Sequence, residues 1–164
     1  MAVIVPYATV MDCRNGPPGV KMDFSPFGRD YCFVSRLIDF QEATSGANAF
    51  VVAEYDFTGR KAWEKSHFVG NPLMAGNHQS ECGDQATALL GMLDPRLKDR
   101  AFVLGSKKAR FPRMVPPGTT LVIRSELLRV DNHGGRAAYQ IWVKGSPRAI
   151  TVSAEITFVF PKKR

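Results

Sequence analysis

Apolar and polar residues alternate along six segments of the chain, and a period of two is typical of strands with one buried face. The alternation is clearest in 47–57, where Glu54 and Asp56 lie on the parity opposite to the apolar residues. Those apolar residues are Ala49, Val51, Ala53, Tyr55 and Phe57. The six predicted strands cover 32–40, 47–57, 101–110, 119–130, 137–143 and 150–160. In the first strand the expected inward parity comprises Cys32, Val34, Ile38 and Phe40, with Arg36 as an exception.

One segment, 77–93, has helical spacing instead. It contains no proline, and its apolar residues recur at intervals of three and four. Those residues are Ala86, Leu89, Leu90 and Leu93. Asn77 is a favourable N-cap, and Asp94-Pro95 is expected to end the helix because proline cannot continue it.

These elements predict an α+β domain with one long helix on an antiparallel sheet of about six strands. The short connection 131–135 is of the kind that joins antiparallel neighbours. A chain of 164 residues has room for one domain with one core. We expect that domain to cover 29–164. The residues 1–28, with the turn-forming run Gly16-Pro17-Pro18-Gly19, are predicted to form an irregular arm.

The charge points to an acidic partner. There are 22 Lys and Arg residues against 15 Asp and Glu, a net charge of +7. Such a charge can attract nucleic acid, anionic membranes or acidic carrier proteins, although ordinary solubility would also account for it. Because no known nucleic-acid-binding pattern accompanies the charge, nucleic acid stays a minor alternative.

Composition excludes some classes of protein. The chain is 45% hydrophobic, which argues against disorder, and no stretch approaches the roughly 18 apolar residues of a membrane span. The first residues lack the pattern of a secretory signal, so we expect a cytoplasmic protein with no membrane partner. The cysteines, Cys13, Cys32 and Cys82, are odd in number and irregular in spacing. They are expected to be reduced thiols, without a zinc site.

The loop 66–76, directly before the predicted helix, is the strongest candidate for a catalytic site. It contains a histidine, a proline and two glycines. A helix start offers free backbone N–H groups and the positive end of the helix dipole, which can polarise a carbonyl. His67 can supply a neutral base, and Glu81 in the first turns can supply a second proton-transfer group. From the residues alone, an acid–base site and a structural loop both remain open.

Two motifs carry a resemblance to a known family. The first is the run His67-Phe68-x-Gly70-x-Pro72-x-Met74-x-Gly76, followed by Glu81 and Gln85. The second is Lys108-Ala109-Arg110-Phe111, followed by Arg113, Val115, Pro117 and Gly118. Together they resemble the pattern of the 3-hydroxyacyl–acyl carrier protein dehydratases, enzymes of fatty acid synthesis. The resemblance covers about 30–160 and leaves the arm unmatched.

The resemblance implies the hot-dog fold, in which an antiparallel sheet wraps a long central helix. It implies a dimer or a multiple of dimers, formed with a second copy or with a paralogous dehydratase subunit, and active sites shared between two chains. His67 would be the base, Glu81 the acid, and the Gly76 backbone N–H the donor to the thioester oxygen. The implied substrate-binding residues are Phe68, Gly70, Pro72, Met74, Gln85 and Phe111. No metal or other cofactor is implied.

The implied reaction is dehydration of a 3-hydroxyacyl thioester to a trans-2-enoyl thioester in fatty acid or polyketide-type biosynthesis. The implied partner is acyl carrier protein, which is acidic. We therefore predict that the basic residues around the second motif bind it. These residues are Lys107, Lys108, Arg110 and Arg113. Strand alternation places Lys108 and Arg110 on one parity and Lys107 on the other.

Two alternatives keep the fold: a hot-dog acyl thioesterase and a non-catalytic, dehydratase-like partner subunit. His67 favours dehydration, because hot-dog thioesterases usually lack this histidine. The chain departs from the family pattern at Ala75, where proline is usual, and in the polar segment 77–84. These departures predict an unusual acyl substrate or an altered partner surface. Gly83 predicts a close approach of the backbone or a ligand. Cys82 is expected to be a packed thiol, and His78 and His133 are expected to have surface or capping roles.

Overall fold

The computed structural model describes residues 3–4, 31–97 and 103–160. The strands, in chain order, are β1 (Val3–Ile4), β2 (Arg36–Gln41), β3 (Phe50–Phe57), β4 (Val103–Arg110), β5 (Thr119–Val130), β6 (Gly134–Val143) and β7 (Ala149–Val159). The helices, both between β3 and β4, are α1 (Ala62–Ser66) and α2 (Gly76–Leu93). The predicted arm, apart from β1, lies outside the described residues.

The strands form one antiparallel sheet in the order β1-β2-β3-β5-β6-β7-β4. The six predicted strands are therefore all present, and the very short β1 extends the sheet beyond β2. Because the chain crosses from β3 through α2 before entering β4, β4 lies beside β7 at the opposite edge. In the part of the chain that the structure describes, β4 has one sheet neighbour.

The core lies between α2 and the sheet, with α2 packed on β3, β5 and β6. The five apolar residues predicted to face inward from 47–57, four of them in β3, are all buried, which confirms that alternation. The core residues contributed by β5 and β6 include Leu121, Ile123, Tyr139 and Ile141. Each large aliphatic side chain buried in this way contributes about 1.5–3 kcal/mol to folding.

Gly83 allows α2 to approach the sheet closely. A Cβ atom at this position would lie 2.4 Å from two ring atoms of Tyr139, a distance that real contacts do not reach. Tyr139 is itself buried, so the ring has little room to move. The close approach expected from the sequence is present, although it is made by a side chain rather than by backbone or a ligand.

A break in register changes the inward residues of β2. The pairing with β3 shifts between Leu37 and Asp39, so that β2 has one extra residue at this point. The side chains of β2 therefore change faces across the bulge. Leu37 is buried as a result, whereas Arg36 lies on the other face. There the guanidinium bonds Glu54 at 2.8 Å and Asp56 at 2.5 and 2.7 Å. The predicted uniform parity of 32–40 is therefore wrong before the bulge, where Leu37 faces inward, and correct after it, where Phe40 packs against the core.

Three local predictions also need correction. Helix α2 begins at Gly76 with Ala75 as its N-cap, so the prediction that Asn77 caps the helix is wrong. Helix α1 was not expected, because five residues are too few to establish a helical period. Cys32 is disulfide-bonded, contrary to the expected thiol, whereas Cys82 is a free, buried thiol.

The predicted end of α2 at Asp94 is confirmed: Asp94 is the C-cap, and its N–H donates to the Leu90 carbonyl at 2.9 Å. Among the described residues, neither helix has the length and apolar character needed to cross a membrane.

Candidate active site

Helix α1 fixes the backbone just before His67. Glu64 in this helix is 1% exposed, and its carboxylate must therefore be hydrogen-bonded. It accepts hydrogen bonds from the Tyr55 hydroxyl at 3.0 Å and from the Lys61 backbone N–H at 3.1 Å. Because Tyr55 belongs to β3, these bonds anchor α1 to the sheet and hold the start of the next loop.

Hydrogen bonds then close the loop from His67 to Met74. The Leu73 N–H donates to the His67 carbonyl at 2.5 Å, and the Met74 N–H donates to the Val115 carbonyl at 2.9 Å. Gly70 has φ of +80°, a region in which glycine is strongly favoured. This explains why the motif has glycine at this position, and it makes Gly70 a residue of loop geometry.

The same loop sets the proton position on the His67 ring. Nδ1 lies 3.1 Å from the Leu73 carbonyl oxygen. Since a carbonyl only accepts hydrogen bonds, Nδ1 is the donor, and in the neutral ring Nε2 has the free lone pair. The hydrogen bond to Leu73 holds the ring in place. Because His67 is only half-buried, the ring also remains accessible. The arrangement is that of a general base acting through Nε2.

Helix α2 begins beside this ring. Gly76 is its first residue, and the N-cap Ala75 has no side-chain hydrogen bond to the free N–H groups. The Phe111 ring lies against Gly76, where a Cβ atom would be 2.8 Å from Phe111 Cδ2. A glycine is therefore needed for Phe111 to pack here. The sequence motifs that contain Gly76 and Phe111 are brought into direct contact.

A pocket of about 280 Å³ opens between the loop and the end of β4. Its walls are formed by His67, Phe68, Leu73, Met74, Gly76, Gln79, Phe111, Pro112, Arg113 and Met114. The pocket thus brings together six of the residues predicted from the two motifs, namely His67, Phe68, Met74, Gly76, Phe111 and Arg113. Gly70 and Pro72 do not line the pocket; they belong to the loop that shapes it.

Gln79 is a pocket residue that sequence reasoning missed. It is 2% exposed, and its Oε1 accepts a hydrogen bond from the Thr151 hydroxyl at 2.6 Å. Its Nε2 donates to the Met74 carbonyl at 3.4 Å. The available signal was a polar residue three positions after Gly76, on the same helical face as that glycine.

Glu81 and Gln85 lie on a different face of α2, against the segment 31–33. Gln85 Oε1 accepts from the Phe33 N–H at 2.7 Å, which fixes the orientation of the amide. Gln85 Nε2 can then donate to the Tyr31 carbonyl at 2.9 Å and to Glu81 Oε1 at 3.1 Å. Gln85 therefore holds the Glu81 carboxyl and is not among the residues that line the His67 pocket. Its role in substrate binding stays a prediction.

Within one chain, His67, the predicted base, and Glu81, the predicted acid, lie in different environments. Glu81 is half-buried and is not among the residues that line the His67 pocket. Tyr31 lies near this carboxyl: burial, and then the charges of Glu81 and Asp84, raise the pKa of its phenol.

His78 and Cys82 belong to the polar first turns of α2, next to the candidate site. The His78 ring stacks on Phe33 with 5.5 Å between ring centroids. Burial, with a smaller effect from His67, lowers the pKa of His78. Cys82 is fully buried, and burial raises the pKa of its thiol well above the ordinary range. A thiol in this state is a poor nucleophile, in agreement with the expected packing role.

The predicted carrier-binding cations lie at the end of β4 and just beyond it. Lys108, Arg110 and Arg113 are exposed, and Arg113 also lines the pocket. The Lys107 backbone pairs with Ile156 of β7, while its side chain lies outside the described residues. Register shifts on both sides of Lys107 interrupt the regular alternation that was predicted to separate it from Lys108 and Arg110.

Comparison with known proteins gives matches over most of the chain. The model of the FabA-like domain matches residues 28–150. The 3-hydroxyacyl-[acyl-carrier-protein] dehydratase FabZ of Chlamydia trachomatis serovar L2 is 35% identical over 141 residues, covering 84% of this chain and 88% of the relative. The FabZ of Enterococcus faecalis is 34% identical over 110 residues, covering 66% of this chain and 76% of the relative.

Solved structures show the same hot-dog fold at low sequence identity. The dehydratase heterocomplex ApeI:P from Xenorhabdus doucetiae has a TM-score of 0.62 and 16% identity, covering 84% of this chain and 88% of that one. The zebrafish thioesterase superfamily member 2 has a TM-score of 0.60 and 16% identity, covering 85% and 89%. At such identities the likeness shows the fold, which dehydratases and thioesterases share.

Proposed function

We propose the following mechanism from the premise that this chain belongs to the FabA-like family of 3-hydroxyacyl-[acyl-carrier-protein] dehydratases. The protein is a dehydratase that converts a 3-hydroxyacyl thioester into a trans-2-enoyl thioester and water. The bond between C2 and a proton breaks, and so does the bond between C3 and the hydroxyl oxygen. The two catalytic tasks are removal of a weakly acidic proton and protonation of a poor leaving group.

His67 Nε2 removes the C2 proton in this proposal. The observation that carries it is the hydrogen bond from Nδ1 to the Leu73 carbonyl, which leaves Nε2 as the basic nitrogen. The Gly76 N–H, at the N-terminal end of α2, stabilises the negative charge that develops on the thioester oxygen. The Phe111 ring packs against Gly76 at this end of the helix.

Glu81 protonates the leaving hydroxyl. Gln85 donates a hydrogen bond to Oε1, so the acidic proton of a neutral Glu81 is assigned to Oε2. When the hydroxyl leaves as water, Glu81 becomes ionised while His67 holds the C2 proton. Transfer of that proton back to Glu81 restores both groups for the next cycle.

The acid comes from a second subunit. Three observations support this: Glu81 does not line the His67 pocket, β4 lies at an edge of the sheet, and large apolar side chains surround the pocket mouth. Phe68 is 59% exposed, Val69 is 91% exposed and Met114 is 76% exposed. A partner that covered them would bury apolar surface and bring its own Glu81 to the site.

The substrate is carried on acyl carrier protein. Lys108, Arg110 and Arg113 are exposed, and Arg113 lines the pocket, so an acidic carrier would be attracted to this side of the molecule. This proposal keeps the carrier-binding role predicted from the sequence for these three residues and for Lys107.

The direct test is incubation with carrier-bound 3-hydroxyacyl thioesters of several chain lengths, analysed by mass spectrometry. The wild type should remove one molecule of water and leave the thioester intact. His67→Ala should lose turnover by about 10²–10⁴-fold, because a general base contributes roughly that much. His133→Ala is the matched control, since His133 is exposed in the turn between β5 and β6.

Two results would contradict the proposal. Release of free carrier without dehydration would identify a thioesterase. Full activity of a folded His67→Ala protein would remove His67 from the mechanism.

A further inference from the structure

The fold leaves unused one hydrogen-bond donor of the buried Gln79 side chain. A primary amide nitrogen has two N–H groups. One Gln79 N–H donates to the Met74 carbonyl at 3.4 Å, and within the described residues the other has no partner. Gln79 is 2% exposed and lines the same pocket as His67 and Gly76.

The orientation of this amide is determined by its two neighbours. Thr151 is fully buried, and its hydroxyl donates to Gln79 Oε1 at 2.6 Å. If the amide were reversed, Oε1 would face the Met74 carbonyl oxygen, and two acceptors would meet without a proton between them. Nε2 therefore belongs on the side of Met74, which is another residue of the pocket wall.

An unsatisfied donor is costly in such surroundings. Most of the pocket wall is apolar, with Phe68, Leu73, Met74, Phe111 and Met114 among its residues. A buried N–H without an acceptor has lost its hydrogen bond to water and gained none in exchange, which is unfavourable. A bound ligand with an oxygen acceptor at this point would recover that free energy.

We propose that Gln79 is a further catalytic residue, whose free Nε2–H donates to the thioester carbonyl oxygen of the substrate together with the Gly76 N–H. This inference rests on the proposed dehydration. Gln79 follows Gly76 by three residues, so both lie on one face of the first helical turn. As His67 removes the C2 proton, the carbonyl oxygen gains negative charge, and two donors stabilise it better than one.

The test compares three variants on one carrier-bound 3-hydroxyacyl thioester. Gln79→Met keeps a similar volume and removes the donor, whereas Thr151→Val keeps the amide and removes its anchor. Thr87→Val is the matched control: Thr87 is 1% exposed and bonds Gly83 and Ser125 away from the pocket. Thermal unfolding is measured for each variant, so that loss of activity is compared among folded proteins.

Gln79→Met should lower kcat by about 10²–10³-fold with little change in KM, as expected for a donor to a developing oxyanion. The pH profile of kcat/KM should not shift, because His67 keeps its bond to the Leu73 carbonyl. Thr151→Val should cause a smaller loss of kcat, and Thr87→Val should leave kcat unchanged.

Three results would overturn this assignment. A kcat for Gln79→Met close to that of the wild type would show that the donor is not used. A loss accompanied by a shifted pH profile would mean that Gln79 acts through His67. Absence of dehydration by the wild type would overturn the proposed function, and this inference with it; wild-type activity therefore distinguishes the two failures.

Discussion

At the scale of single residues, the proposed mechanism gives opposite tasks to two histidines close to one end of α2. The His67 loop provides a carbonyl partner for Nδ1 and a pocket for the rest of the ring. His78 packs on Phe33, and its surroundings favour the neutral ring. A catalytic base must exchange protons during turnover, whereas a packed histidine contributes most when it stays neutral.

The lowered pKa of His78 gives a prediction for stability. Its folded-state pKa lies below the ordinary value of 6.5, chiefly because of burial and then because of the nearby His67, while Glu64 opposes the shift. Below about pH 6.5 the unfolded chain therefore takes up a proton that the folded chain resists. The free energy of unfolding that depends on neutral His78 is fully present above that pH and is lost as the pH falls through the folded pKa.

The prediction can be checked by thermal unfolding from about pH 7.5 to about pH 5.5. The wild type should lose more stability over this range than His78→Leu, which cannot be protonated. His133→Leu is the control, because His133 is exposed. Equal slopes for the wild type and His78→Leu would show that His78 does not contribute to this loss.

At the scale of elements, the alternation of apolar and polar residues correctly predicted strands that have one buried face. The inward residues of β3 follow the period of two because one face of that strand packs on α2. The same reasoning failed in β2, since a bulge is a property of the pairing with β3 and leaves no mark in the period of β2 itself. Helix α1 was missed for a related reason: its five residues are fixed by the buried contacts of Glu64.

In the candidate site too, local sequence patterns predicted some residues, and the contacts of others depend on the fold. His67 and Gly76 could be predicted because they belong to a compact motif on one loop. The Gln79–Thr151 contact joins residues 72 positions apart, and it exists because β7 passes close to the first turn of α2. No local pattern contains that information. Gln85 was found by its motif, but its contact with the Phe33 N–H required the fold.

The packing of Gly83 gives a prediction for the helix. Gly83→Ala should destabilise the protein by up to about 2 kcal/mol, because overpacking against the buried Tyr139 ring costs about 1–3 kcal/mol and the gain in helix propensity is only about 1 kcal/mol. Urea unfolding of Gly83→Ala, Tyr139→Leu and the double variant forms a mutant cycle. The smaller leucine should make room for the alanine, so the two changes together should cost less than their sum. Strict additivity would show that the Gly83–Tyr139 contact is not the cause.

At the scale of the whole molecule, the separate surroundings of His67 and Glu81 predict activity shared between chains. His67→Ala and Glu81→Ala should each be nearly inactive. When the two are co-expressed and mix randomly, half of the dimers contain one chain of each kind, and one of their two sites has both groups intact. The mixture should therefore recover up to about a quarter of wild-type activity.

Light scattering should show a dimer or a multiple of it for each variant, which confirms that the chains can pair. Mixing the two purified variants without exchange of subunits is the control and should restore no activity. No recovery in a verified mixed dimer would place both catalytic groups in one chain.

The net charge of +7 leads to the last prediction. Attraction between this chain and an acidic carrier acts over a distance that falls from about 10 Å at 0.1 M salt to about 3 Å at 1 M. Turnover of carrier-bound substrate should therefore decline with salt, mainly through an increase in KM, whereas turnover of a small uncharged thioester should not. Arg110→Glu with Arg113→Glu should raise KM for the carrier-bound substrate at low salt and reduce its salt dependence, because both residues are exposed and Arg113 lines the pocket. Arg148→Glu, on an exposed residue in the β6–β7 connection, is the control for general loss of positive charge. An equal effect of Arg148→Glu would indicate that net charge, rather than the pocket entrance, attracts the carrier.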